Sequence, residues 1–114
     1  MRPATSPCRL TDRVHVWSVK LAASDSTAEY YVSTLSSDER LRASRSHFEH
    51  LQRAFMLRRG VLRLLLGYYL GEQPSRVELV YGRYGKPVLA GPSRVHFNSS
   101  HSGDSALFGI HARL

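Results

Sequence analysis

A chain of 114 residues is long enough for one domain with a modest core, or for half of a larger one. With 42% hydrophobic and 10% aromatic residues it has the composition of a folded protein, and no apolar run approaches the length needed to cross a membrane. The 16 Lys and Arg against 9 Asp and Glu leave a formal charge of +7, which suits a polyanionic partner: nucleic acid, anionic lipid, an acidic protein or a phosphorylated small molecule.

Residues 1–12, with two prolines and small polar residues, predict a flexible N-terminal tail. No apolar signal core follows Met1-Arg2-Pro3, and a single cysteine, Cys8, excludes an internal disulfide and suits a reducing compartment, so a cytoplasmic protein is expected. The aromatic and β-branched run His15–Leu21 predicts a first strand. Ser26–Leu35 predicts a short helix with Ala28, Tyr31, Val32 and Leu35 on its apolar side. Ser36-Ser37-Asp38-Glu39 carries the spacing of a capping box, in which Ser and Glu satisfy unpaired amides at a helix start. The helix that follows carries Arg40, Arg42 and Arg45 and few apolar residues, so it is expected on the surface.

Glu49–Leu70 gives the strongest periodic signal. At 100° per residue Leu51, Phe55, Leu62, Leu66 and Tyr69 form one stripe, widened by Ala54, Leu57, Val61, Leu65 and Tyr68. Gln52, Arg53, Arg59 and Arg63 share a polar sector, and Arg58 falls inside the apolar one, either snorkelling to the edge or aimed into a phosphate pocket. Gly60 and Gly67 invite close approach of another backbone, while Gly71 and Pro74 end the helix. Val77–Tyr81, Pro87–Leu89, Val95–Asn98 and Ala106–His111 then predict short strands, with a turn at Gly82–Gly85. The order implies an α+β fold, a mostly antiparallel sheet packed against a long helix.

Two segments carry chemistry. In Gly85-Lys86-Pro87 a glycine admits close approach to the backbone, a lysine offers a cation and a proline fixes direction; as a bare tripeptide it also reads as an ordinary turn. His96–Gly103 runs from a strand into a loop holding three hydroxyls, two imidazoles and a glycine, groups that bond phosphates or move protons. The same loop reads equally as Asn98 and the serines bonding their own backbone. Ser100 beside His101 has no acid partner for a hydrolase triad, the histidines lack metal-ligand spacing, and neither a Walker nor a dinucleotide-binding glycine pattern is present.

In order and spacing these pieces resemble the N-terminal half of a 4'-phosphopantetheinyl transferase of the large, surfactin-synthetase-activating type. The resemblance rests on Val16-Trp17, Leu35–Arg40, Arg53-Ala54-Phe55, Arg59–Arg63, Tyr69-Leu70-Gly71, Gly85–Leu89 and above all Phe97–Gly103, and covers residues 13–114. It implies one half of a pseudo-two-fold fold whose two halves hold coenzyme A and Mg2+ between them. It also implies a holo-[acyl-carrier-protein] synthase reaction, transfer of phosphopantetheine from coenzyme A to a serine of an acyl or peptidyl carrier protein. By the same resemblance Gly85, Lys86 and Pro87 hold the nucleotide end of coenzyme A, and Asn98, Ser100 and His101 belong to the loop at its phosphates. Arg42, with Arg40 nearby, matches basic positions at the 3'-phosphate.

Two positions depart from the family pattern: Ser99 stands where an apolar residue is usual, and Arg58 where a small one is. The Gly-x-Asp-x-Glu strand that supplies the metal carboxylates in the family's second half is not in the sequence, so a truncated half, inactive alone, is expected. Such a half is expected to pair with a complementing C-terminal half or to form a homodimer. A non-catalytic module binding coenzyme A or a protein partner is the alternative. A nucleic-acid binder, which would use the arginines of 38–45, lacks interleaved exposed aromatics and any recognised motif.

Overall fold

The computed structural model describes residues 8–11, 14–22 and 24–112. Its first half runs β1 (Cys8–Thr11), β2 (Val14–Lys20), α1 (Asp25–Ser33), α2 (Ser37–Ser44) and α3 (Glu49–Leu70). A 3-10 turn at Pro74–Arg76 leads to β3 (Leu79–Tyr81), β4 (Pro87–Leu89), β5 (Val95–Ser102) and β6 (Ser105–Ala112). Among the described residues the strands form an antiparallel four-stranded sheet, in the order β1-β2-β6-β5, and an antiparallel β3-β4 pair. The fold is therefore α+β. Strand β1 falls within the segment read as tail; it pairs with β2, and the rest of residues 1–12 lies outside the described residues. No helix among the described residues is long and apolar enough to cross a membrane.

Helix α3 spans the stretch its periodicity predicts. Leu57, Val61, Leu62, Leu65 and Leu66 are buried against Val19, Ala106, Phe108 and Ile110 of the sheet and against Ala28 and Tyr31 of α1. Two members of the expected stripe lie elsewhere: Leu51, in the first turn, is 47% exposed and Tyr68 75% exposed. At the other end Gly71 takes a left-handed φ of 70° and its amide bonds the Gly67 carbonyl, which ends the helix. Helix α2 begins with the expected capping box: the Glu39 amide donates to Ser36 Oγ at 3.1 Å, and the Ser36 amide to Glu39 Oε1 at 2.9 Å.

Strand β5 is longer than its sequence suggests. The segment read as a loop from residue 99 onward stays paired with β6 as far as Ser102↔Ser105, and only Gly103 and Asp104 turn the chain. Gly103, at φ 58°, supplies the left-handed residue that so short a hairpin needs. Polar residues are tolerated here because β5 is an edge strand, and the apolar β6 beside it supplies the pairing. At the start of β3 the predicted strand is shortened instead, because Val77 closes the 3-10 turn and is buried there.

Because side chains alternate, the register sorts them by face. Rows His15–Ile110–Phe97, Trp17–Phe108–Ser99 and Val19–Ala106–His101 face α3; rows Val14–His111–His96, Val16–Gly109–Asn98 and Ser18–Leu107–Ser100 face away. The Tyr69 hydroxyl of α3 ties the helix to β2 by bonding His15 Nδ1 and, at 3.0 Å, Trp17 Nε1.

The closest helix contact is at Gly60, where an added Cβ would lie 2.5 Å from Tyr31 Cβ and 3.0 Å from its Cα. Tyr31 is 1% exposed and has nowhere to retreat. Gly60→Ala should therefore cost about 1–3 kcal/mol by overpacking, read as a lower urea midpoint at unchanged slope.

Candidate functional site

The site is built on Glu39, which is 1% exposed. Besides capping α2, Glu39 Oε1 accepts from Arg63 Nε at 2.7 Å, and Oε2 accepts from the Tyr81 hydroxyl at 3.0 Å. Arg63 is itself buried and donates through Nη1 to the carbonyls of Pro74 and Val77 at 2.9 and 2.7 Å. One carboxylate and one guanidinium thus join α2, α3, the 3-10 turn and the end of β3. The sequence reading placed Arg63 in the polar sector of α3. The structure buries it, because a fully bonded ion pair offsets the cost of taking it from water.

Arg59, one turn earlier on α3, approaches the same carboxylate less closely, Nε to Oε2 at 4.0 Å. That Nε is buried without a hydrogen-bond partner. The guanidinium stands 5.0 Å from the Phe55 ring and 5.5 Å from the Tyr81 ring, within cation–π range. Burial pushes its pKa below the ordinary arginine value; Tyr81 and Glu39 pull it back up, and Arg42 and Arg63 add to the depression. Arg42 of α2 completes the group. Its guanidinium stacks on Tyr81 at 3.7 Å and its Nε donates to Asp38 at 3.0 Å.

The β3-β4 hairpin carries Gly85-Lys86-Pro87 to this cluster. Gly82 and Lys86 close the turn through an amide–carbonyl bond of 2.9 Å, and Gly85 takes φ 77°. A Cβ on Gly85 would lie 3.9 Å from Arg42 Nη1, so the turn backbone passes beside the guanidinium. Lys86 is exposed and Pro87 buried. Two motifs some forty residues apart in sequence, Arg42 and Gly85–Pro87, therefore meet on one face.

The remaining predicted residues divide. His101 is on the α3 face of β5, where Arg58 first and burial second lower its pKa below the ordinary 6.5. Asn98 and Ser100, read from the sequence as neighbours of His101 in one loop, are exposed on the opposite face, because β5 continues through them as a strand. Asn98 Oδ1 accepts from the Ser99 amide at 3.0 Å. Arg40 also separates from Arg42: its Nη2 donates to the Val32 carbonyl at 3.0 Å, in a shallow groove lined by Asp25, Glu29 and Arg53.

Sequence reading missed Glu39 as more than a cap, and missed Tyr81 entirely. The spacing of Phe55, Arg59 and Arg63, four apart, puts all three on one side of α3 and was the available signal for the first. Nothing near Tyr81 marks it out. What the arrangement can do chemically is bind an anion: Arg42 and the poorly paired Arg59 meet at the Tyr81 ring, beside the turn that carries Lys86.

Comparison with known proteins gives the family. The family description "4'-phosphopantetheinyl transferase, N-terminal" matches residues 20–111. The chain is similar to the 4'-phosphopantetheinyl transferase HetI of Nostoc sp. (strain PCC 7120), with 41% identity over 104 residues, 89% of this chain and 44% of the relative. It is also similar to slr0495 of Synechocystis sp. (strain PCC 6803), named provisionally for the same activity, with 35% identity over 82 residues, 70% of this chain and 33% of the relative. The chain thus spans less than half the length of the curated relatives it matches.

Two predictions follow from the buried network. Glu39→Ala leaves Arg63 buried and unpaired and should cost about 3–5 kcal/mol in urea unfolding, whereas Glu39→Ala with Arg63→Met should recover a large part of it. Burial, opposed by Arg59 and reinforced by Glu39, pushes the Tyr81 phenol from 10.0 up to about 12. A folded value above the unfolded one gives stability that is whole below pH 10 and lost as pH rises toward 12. Tyr81→Phe should flatten that alkaline loss in unfolding measured at pH 9 to 12.

Proposed function

The chain belongs to the 4'-phosphopantetheinyl transferase family, as an N-terminal part of it, and from that premise we propose that it holds the nucleotide and phosphate end of coenzyme A. In the reaction the phosphopantetheine arm passes to a serine of an acyl or peptidyl carrier protein. The observation that carries the reading is the meeting of Arg42, stacked on Tyr81, with the Gly85–Pro87 turn. A backbone turn able to lie against a nucleotide, beside a guanidinium of fixed orientation, suits a ligand with an aromatic base and several phosphates. The formal charge of +7 favours the same ligand and an acidic carrier protein.

The residues present do not fit a Mg2+ site. Among those described, no three His, Cys, Asp or Glu side chains come close enough to hold a metal, and Glu39 is engaged by Arg63 and Tyr81. No metal-dependent step is assigned to this stretch. The reading is of the large, two-half, surfactin-synthetase-activating type, in a cytoplasmic enzyme whose second half supplies the metal carboxylates. The sheet face opposite α3, where Leu107 is 47% exposed, is the surface assigned to that half, or to a second copy of the chain in its place.

Calorimetric titration with coenzyme A tests the reading. Binding should be saturable, little changed by Mg2+, and weaker by tenfold or more, about 1.4 kcal/mol, in a Lys86→Ala, His101→Ala variant. Holo-carrier protein, detected as a mass gain of the carrier, should form only after a C-terminal half from such a transferase is added. Absence of binding at millimolar coenzyme A, or equal binding by the variant, overturns the assignment.

A further inference from the structure

Helix α3 is pinned over the sheet at one end by Tyr69 on His15 and Trp17. Counting back from 69 to 58 covers about three helical turns, so Arg58 returns to the same side, roughly 16 Å nearer the N-terminus. Along β2, His15 to Val19 covers about 13 Å, and Val19 shares its row with Ala106 and His101. The helix runs the right way for the two strides to coincide, since Arg53 of its N-terminal half lies 3.8 Å from Asp25 at the start of α1, which follows β2. Arg58 is therefore set over the end of the sheet where His101 stands on the α3 face. It is half-buried, and burial first, then neighbouring Arg59, depresses its pKa.

Among the described residues, one charged group acts on His101 directly. Arg58 comes from α3, with Arg59 behind it; the paired residue on β6 is Ala106. Asp104 of the hairpin turn lies 4.0 Å from Lys20 of β2, its partner. His101 thus meets a cation on its inner side and carries little positive charge of its own near neutral pH. A phosphoryl group between the two would relieve their repulsion and favour the imidazolium.

We propose that Arg58 and His101 together clamp one phosphoryl group of the ligand, with Arg58 as a specificity residue that the family resemblance does not supply, and that phosphoryl binding draws a solvent proton onto His101. The inference rests on reading the basic face as phosphate-binding and adds a named residue and a proton linkage to it.

Inorganic pyrophosphate is the probe, titrated into the full chain near pH 6.5 in buffers of low and high ionisation enthalpy. The His101 ring signals are followed by NMR. The original chain should bind saturably with proton uptake. Arg58→Gln should bind about tenfold more weakly, lose the uptake and shift the His101 titration of the free protein upward, and Arg58→Lys should restore both in part. Equal affinity and an unmoved His101 titration in Arg58→Gln overturn the inference alone. Failure of the original chain to respond to pyrophosphate overturns it together with the phosphate-binding reading.

Discussion

A single buried carboxylate organises this protein. Glu39 closes the first turn of α2, accepts from Arg63 in the middle of α3 and receives the Tyr81 hydroxyl from the end of β3. Through Arg63 it also reaches the carbonyls of Pro74 and Val77. Each of these groups would be costly to bury alone, and together their bonds are satisfied. The arrangement ties helix to hairpin across segments that share few apolar contacts, since most of the core belongs to α3, α1 and the four-stranded sheet. Orientation of the β3-β4 hairpin, and with it of the Gly85 turn, depends on this polar junction as much as on apolar packing.

The same junction accounts for the charge of the candidate site. With Glu39 given to Arg63, and Asp38 to Arg42, the guanidinium of Arg59 is left with aromatic faces and one distant oxygen. Two guanidinium groups, Arg42 and Arg59, are thereby brought to the Tyr81 ring, with Glu39 buried beneath them and Asp38 half exposed beside Arg42. The orientation of Arg42 is fixed in turn, because Tyr81 holds it through its ring while the Tyr81 hydroxyl is held by Glu39.

Much of this was legible in the residues. The 3.6-residue repeat located α3 at its observed limits, the Ser36–Glu39 spacing located the cap of α2, and the glycines located the Gly82–Gly85 turn. What escaped reading was tertiary. Arg63 looks like any arginine on a polar stripe until a carboxylate from another helix is placed beside it. Arg40 and Arg42 look equivalent at a spacing of two, yet a helix sends residues so placed to different sides, one to the α1 carbonyl and one to Tyr81. Residues 99–102 look like a loop because hydroxyls and imidazoles give no apolar alternation, so only the partner strand reveals that they are extended.

That extension gives the Gly103-Asp104 turn a significance beyond its size. In β5, odd positions look toward α3 and even positions away, so His101 and Ser100 are distinguished by parity alone. The turn sets that parity for the whole strand. An insertion or deletion of one residue there would leave the composition of the segment intact and its hydrogen-bond ladder available, yet present Ser100 to Arg58 and turn His101 outward. The chemistry of the face is in this sense encoded by counting.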